Sequence, residues 1–272
     1  MSVYLSFFIM LVVVSPAKAL DFVSPLPTAK HSQPVLIERS EKLVDLMVQK
    51  SPAELSKMMS ISASLADLNH QRFQDWSTPF TPDNARPAIL AFDGDTYTGL
   101  DAARSFSERD YTHSQKVLRI LSGLHGVLRP LDLIQPYRLE MGSKLTHDNG
   151  SDLYSYWGGE VTDQLNVALD KSPGPAMLIN LASNEYFAAV QPDRLEGRII
   201  APRFLDAKGD GDFKVVSFFA KQARGSMAGW IVRERIVTVN AIADFDIGGY
   251  SFDAVRSTSD VPVFTRRWTG SG

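Results

Sequence analysis

The sequence predicts an α+β fold: a single compact domain with a mixed sheet and clustered helices. Three observations carry that expectation. Strand-like runs fall near both ends of the chain, at 11–14 and from 176 onward. Capped, amphipathic helical segments crowd between them. No repeat, low-complexity tract or composition break divides the 272 residues, which suffice for one large core. Strands and helices in separate runs argue against a regular array of βαβ units.

The opening "MSVYLSFFIMLVVVSPAKAL" reads first as a secretory signal, with Ala17 and Ala19 around Lys18 as a small-residue cleavage site. No Lys or Arg precedes the apolar run, and residues 7–14 are too few to span a bilayer. The β-branched run 11–14, ended by Ser15-Pro16, fits a buried strand instead. Met10 then stands as the expected start, residues 1–9 as an over-extension, 10–268 as the domain and 269–272 as a tail.

Prolines 25, 27 and 34 mark an extended segment over 21–34. Residues 35–49 place Leu36, Leu43, Leu46 and Met47 on one side of an amphipathic helix. "SPAE" at 51–54 supplies an N-cap serine, a proline at the first helical position and a glutamate three residues on. A further helix is expected over 61–76. Thr81-Pro82 starts another that Pro87 cuts short. "GDTYTGL" (94–100) reads as a glycine-bounded turn carrying Tyr97. Ser107 caps a helix over 109–122 that stops at Gly123, and 152–169 reads as one helix despite Gly158 and Gly159. Strands follow at 176–181, 198–204 and 213–219, then a basic helix over 221–236, then strands at 250–255 and 262–268.

Composition narrows the chemistry. There is no cysteine, which rules out disulfides, thiolate nucleophiles and cysteine metal sites. The five histidines are scattered with no i, i+4 pair, so a zinc or iron site built on histidine is not expected; carboxylate metal sites stay open, though no metal site and no cofactor are assigned. The net charge of −3 is not that of a nucleic-acid binder. Two stretches are nonetheless basic. Residues 116–144 hold Lys116, Arg119, Arg129, Arg138 and Lys144 against Asp132 and Glu140; residues 214–235 hold Lys214, Lys221, Arg224, Arg233 and Arg235 against Glu234. They fit either one positive cleft or solvated cations on unrelated faces.

Four segments carry possible chemistry. "LSGLHGVLRP" (121–130) has the glycine turn of a helix-hairpin-helix-like element. In such an element, backbone N–H groups of Gly123, Leu124, His125 and Gly126 approach phosphate, with Arg129 beside them. Its two glycines are separated by two residues rather than one, and a plain structural turn fits as well. "QPYRLEMG" (135–142) alternates like a strand and puts Arg138 and Glu140 on one face, as an ion pair or a ligand-orienting pair. "INLASNEYF" (179–187) ends a buried strand on Asn180, Ser183, Glu185 and Tyr186, where open sheets place ligand groups. "KQARGSM" (221–227) sets Lys221 and Arg224 one helical turn apart, a pairing that suits phosphate or carboxylate or simply faces water. No Gly-x-Ser-x-Gly is present, so a hydrolase triad has no support.

Taken in order, "SPAKALDF", "GDTYTGL", "LSGLHGVLRPLDLIQPYRLEMG", "INLASNEYF" and "KQARGSM" resemble the YaaA-type peroxide-stress proteins, from about residue 10 to residue 268. The resemblance implies a cytoplasmic protein of the hydrogen peroxide response that lowers unincorporated iron and limits oxidative DNA damage. It further implies an α+β fold with a helix-hairpin-helix-like element and a positive cleft that binds DNA. Lys18, Tyr97, Arg138, Glu140, Asn180, Ser183, Glu185, Tyr186, Lys221 and Arg224 fall in the matching motifs. Two departures remove positive charge: Asp93 stands where the family usually has lysine, and Gly229 where it often has arginine.

Two functions follow from these residues. One is sequence-independent DNA binding through Lys18, the 123–129 turn, Arg138, Lys221 and Arg224, with no membrane association. The other is an enzyme acting on an anionic small molecule. In it Glu140, Glu185, Ser183 or Tyr186 is catalytic, Arg138 and Arg224 clamp the anion, and Tyr97 and Asn180 line the pocket. A narrow pocket favours the second; an open basic groove favours the first.

Overall fold

The computed structural model describes residues 10–171 and 176–268. Its central element is a five-stranded mixed sheet. The strands are β1 (Met10–Val14), β2 (Leu118–Ser122), β3 (Gly126–Leu128), β4 (Met177–Leu181) and β5 (Arg198–Ile200). Their order is β3–β2–β1–β4–β5. β1 runs parallel to β2 (Val12 opposite Leu118) and to β4 (Val12 opposite Ile179), and β3 alone turns back antiparallel. The apolar run expected as a strand is thus the middle of the sheet. All five of its side chains are buried, as a strand covered on both faces requires. The expected over-extension, 1–9, and tail, 269–272, lie outside the described residues.

A second sheet joins β6 (Arg203–Lys208), β7 (Ser251–Phe252) and β8 (Val263–Trp268) in the order β6–β8–β7, with β6 and β8 parallel. One continuous apolar core runs from Met10 to Phe264 and ties both sheets and the helices into one body of mixed α/β character.

Three N-terminal helices follow the local signals closely: α1 (Ile37–Val48), α2 (Pro52–Met59) and α3 (Ala63–Asp75). Ser51 and Glu54 form a reciprocal capping box on α2, and Ser62 caps α3. Further along come α4 (Asp95–Leu100), α5 (Glu108–Val117), α6 (Leu153–Trp157), α7 (Glu160–Asp170), α8 (Asn184–Phe187) and α9 (Ser217–Glu234).

The remaining differences have local causes. The helix expected from Thr81 is only a turn; residues Arg86–Pro87 pair instead with Leu133–Ile134. "GDTYTGL" is helical because α4 packs on α9 with no side chain between their backbones. A Cβ on Gly225 would lie 1.7 Å from the Thr96 carbonyl oxygen, and one on Gly99 2.0 Å from that of Gln222. Gly229 belongs to the same seam, since a Cβ there would lie 2.5 Å from the Leu100 oxygen. The helix capped by Ser107 stops at Val117, where β2 begins. Gly158, at φ +51°, splits α6 from α7. Residues 213–219 are not a strand, because α9 already starts at Ser217.

Candidate functional site

The helix-hairpin-helix reading of 121–129 is corrected by the fold. Leu118–Ser122 and Gly126–Leu128 are strands, so the segment is a β-hairpin with Ile120 opposite Leu128. Leu124 and His125 are fully buried, and Gly123 and Gly126 lie in the core with them. Both glycines serve packing. A Cβ on Gly123 would lie 2.2 Å from the Leu139 oxygen; Gly126, at φ +65°, sits under the Trp157 ring. Trp157 Nε1 donates to the Gly123 carbonyl at 2.9 Å. The turn therefore offers no backbone N–H to a phosphate. Arg129 is engaged as well, with Nε and Nη2 donating to Asp132 Oδ1 at 3.0 and 2.9 Å and Nη2 to the Gln33 carbonyl.

His125 is held in place by neighbours rather than by a ligand. Nδ1 lies 2.9 Å from Ser40 Oγ, and the backbone N–H of His125 donates to Ser122 Oγ, which bonds the Tyr137 hydroxyl at 2.6 Å. Burial alone pushes its imidazole down to about 3, so it stays neutral at physiological pH. Its Nε2 has no partner.

Several other candidates converge. In an open parallel sheet, ligands bind beyond the carboxyl ends of strands whose connections leave in opposite directions. Here β1 connects toward β2 on one side and β4 toward β5 on the other. A cavity of about 400 Å³ sits beyond their carboxyl ends, lined by Ser15–Ala19 after β1 and by Ser183, Glu185 and Tyr186 after β4. Residues 93–96, which lead into the first turn of α4, close one wall, and α9 contributes Lys221 and Arg224. Lys18, Ser183, Glu185, Tyr186, Lys221 and Arg224, far apart in sequence, are thereby brought to one place.

The floor is held by short bonds. Ser15 Oγ accepts from the Ser183 N–H at 2.8 Å and lies 3.3 Å from Ser183 Oγ. The Tyr97 hydroxyl donates to the Ser15 carbonyl at 3.2 Å, so Tyr97 lies beneath the cleft. Asn180 Oδ1 accepts from the Ala182 N–H at 3.0 Å and shapes the turn after β4. Glu185 Oε1 accepts from the Gly142 N–H at 3.1 Å, tying the 137–142 segment to the cleft.

Arg138 and Glu140 do share a face. Arg138 Nε donates to Glu140 Oε1 at 2.9 Å, and Lys18 Nζ lies 3.5 Å from the same oxygen. Glu140 Oε2 is buried without a partner. Glu140 is thus one residue removed from the cavity and reaches it through Lys18. Arg72 on α3, which sequence reading passed over, lies near Arg138; burial and then the Arg138 charge lower its proton affinity.

Much of the positive charge of the two basic stretches is paired within the chain. Arg129 pairs with Asp132, Arg138 with Glu140, Lys144 with Asp152 and Arg235 with Asp110. Lys221 and Arg224 have no carboxylate partner among the described residues. The partly buried Arg224 guanidinium has its proton affinity lowered by desolvation. The cavity is mixed in sign, with Lys18, Lys221 and Arg224 facing Asp93, Asp95 and Glu185. Tyr186 and Tyr97 have their phenol pKa pushed well above the usual value by burial and by nearby phenols, so both stay protonated and serve as hydrogen-bond donors. Ser183 is bonded by Ser15 rather than by a histidine.

Ser15, Asp95 and Thr96 line the cleft unforeseen. The only local signal for Ser15 was its place directly after a buried strand; Asp95 depends on where α4 docks. Among the described residues, no three His, Cys, Asp or Glu side chains group as a metal site, and no helix is long and apolar enough to cross a membrane.

Sheet and cleft together define a mixed α/β protein with a polar, small-ligand-sized site at the switch point of a parallel sheet. The family described as peroxide stress protein YaaA matches residues 10–256, and the chain belongs to that family.

Proposed function

We propose that this peroxide-stress family member works in the cytoplasm by holding a phosphate-bearing small molecule in the β1–β4 cleft. One observation carries the reading: Lys221 and Arg224, one helical turn apart and without carboxylate partners, line a cavity of about 400 Å³. Paired cations in a partly desolvated cleft suit an anion. A cavity of that size takes a metabolite-sized molecule rather than a DNA duplex. Tyr186 and Ser183 supply hydroxyl hydrogen-bond donors, and Glu185 an acceptor, to orient the bound molecule.

The second reading is sequence-independent DNA binding that, with a lowering of free iron, limits oxidative DNA damage. The gathering of Arg72 and Arg138, outside the cavity lining, toward Lys18 favours it.

Calorimetric titration of the full chain with inorganic phosphate and pyrophosphate tests the first reading. Arg224→Ala is expected to weaken binding by about ten- to a hundredfold, the value of a charge-assisted hydrogen bond. Unchanged affinity in that variant overturns the site. Anisotropy of a labelled duplex across salt concentrations tests the second; a flat salt response overturns it. Chelator-accessible iron in peroxide-challenged cells carrying Arg224→Ala, set against Arg72→Ala, shows which site the physiological effect needs.

A further inference from the structure

The cleft carries more than an anion requires. Three cations and three carboxylates line it, yet among the described residues no ion pair joins one of the six to another. Lys18 turns to Glu140 outside the cavity, and Glu185 takes a backbone N–H. Asp93 and Asp95 make no side-chain hydrogen bond with a described residue. Opposite charges that line one cavity without joining are placed for a ligand presenting both acceptors and donors. Inorganic phosphate offers mainly acceptors. A phosphorylated sugar offers phosphate oxygens to cations and hydroxyl donors to carboxylates.

A third feature selects further. Phe218 lies three residues before Lys221 on α9, hence on an adjoining part of the same helix face. Its ring is 55% exposed, the most exposed phenylalanine of the described core helices and strands. Its nearest ring neighbour, Phe219, meets it edge-on at 5.6 Å and leaves its faces free of aromatic stacking. Phe218 lies outside the cavity lining, one helical turn before Lys221, so its exposed ring can stack a flat heterocycle that extends out of the cleft while the cations hold a phosphate.

We infer that the ligand class of this cleft is the nucleoside monophosphate, with phosphate on Lys221 and Arg224, sugar hydroxyls on Asp93 and Asp95, and the base against Phe218. This rests on the anion-site reading above and narrows it.

The test is calorimetric titration of the full chain with adenosine monophosphate, ribose 5-phosphate and inorganic phosphate, in wild type, Phe218→Ala and Asp95→Asn. Adenosine monophosphate is expected to bind about tenfold more tightly than ribose 5-phosphate, the increment of one base stacked on one aromatic ring. Phe218→Ala is expected to abolish that difference and leave ribose 5-phosphate affinity unchanged. Asp95→Asn is expected to weaken both sugar phosphates and spare inorganic phosphate. Equal wild-type affinity for the three probes overturns the inference while leaving the anion site standing. Binding of none of them overturns both. A Phe218→Ala loss shared by all three probes also overturns it, because the ring then acts on the fold and not on the base.

Discussion

Gly225→Ala is the sharpest perturbation of the frame that builds the cleft. The new Cβ would lie 1.7 Å from the Thr96 oxygen, 2.7 Å from the Thr96 carbonyl carbon and 2.8 Å from the Leu100 nitrogen. Carbon–oxygen contacts settle near roughly 3.3 Å, so α4 and α9 must part by roughly 1.6 Å. All three opposing atoms are backbone, and no rotamer change relieves them. Overpacking costs about 1–3 kcal/mol, and a backbone-on-backbone clash belongs at the upper end. In a chain of this size about 3 kcal/mol lowers Tm by about 6–12 °C. The assay is a thermal melt followed by circular dichroism, with Gly209→Ala as control. Gly209 has nothing within 4 Å of an added Cβ and only a φ of +53° to oppose it, so a cost of about 1 kcal/mol is expected there. Phosphate affinity of Gly225→Ala should fall as well, since Thr96 lines the cleft on one helix and Arg224 on the other. A Tm within 2 °C of wild type, taking about 2 °C as the smallest effect of 1 kcal/mol, would refute the close-packed seam.

Three more outcomes are expected. His125 is neutral when folded, held down to about 3, and takes a proton when unfolded below about 6.5. The unfolded state then binds more protons, so stability falls as pH drops from 6.5 toward 5, before carboxylates titrate. The contribution approaches about 1.4 kcal/mol per pH unit, and urea unfolding of His125→Asn should show a flatter slope than wild type. Asp206 is buried and accepts from Arg266 Nε and the Tyr250 hydroxyl, each at 2.7 Å, while Arg266 is stacked between Phe219 and Tyr250. Asp206→Ala strands that guanidinium and is expected to cost about 3–5 kcal/mol by urea unfolding. Ser15→Ala removes the acceptor of the Ser183 N–H and should cost about 1–3 kcal/mol, with weaker phosphate binding in the same titration.

Local signals read well where the cause is local. The α2 start was legible because Ser51, Pro52 and Glu54 satisfy one another within a single turn. β1 was legible because four successive apolar, mostly β-branched residues end on Ser-Pro. β2 was not, since "LRILS" follows α5 with no glycine or proline between them and becomes a strand only by pairing with β1. Gly123 and Gly126 were read as openings for phosphate, but their reasons are tertiary: the Leu139 carbonyl and the Trp157 ring, each more than ten residues away. The cleft shows the same division. Ser183 and Glu185, at the end of a recognisable strand, were found. Asp95 and Ser15 required knowing that α4 docks on α9 and that β1 lies beside β4.

The basic stretches show why charge read along a chain says little about a nucleic-acid surface. Duplex affinity grows with the number of phosphates neutralised, so a DNA track needs a run of cations free to meet them. Folding instead commits Arg129, Arg138, Lys144 and Arg235 to carboxylates of this chain and half-buries Arg119. Of the motif cations, Lys221 and Arg224 are left facing the cleft without a carboxylate partner, and Lys18 divides itself between the cleft and Glu140. Two to three cations suit one phosphate group or two, the number that the proposed small ligand presents. The carboxylates opposite them would repel a polyanion while accepting hydroxyl donors from a small sugar phosphate. Asp93 is the clearest case. Its charge, set where the family resemblance leads one to expect lysine, would weaken a phosphate track, and in the proposed reading it accepts a hydroxyl of a small ligand.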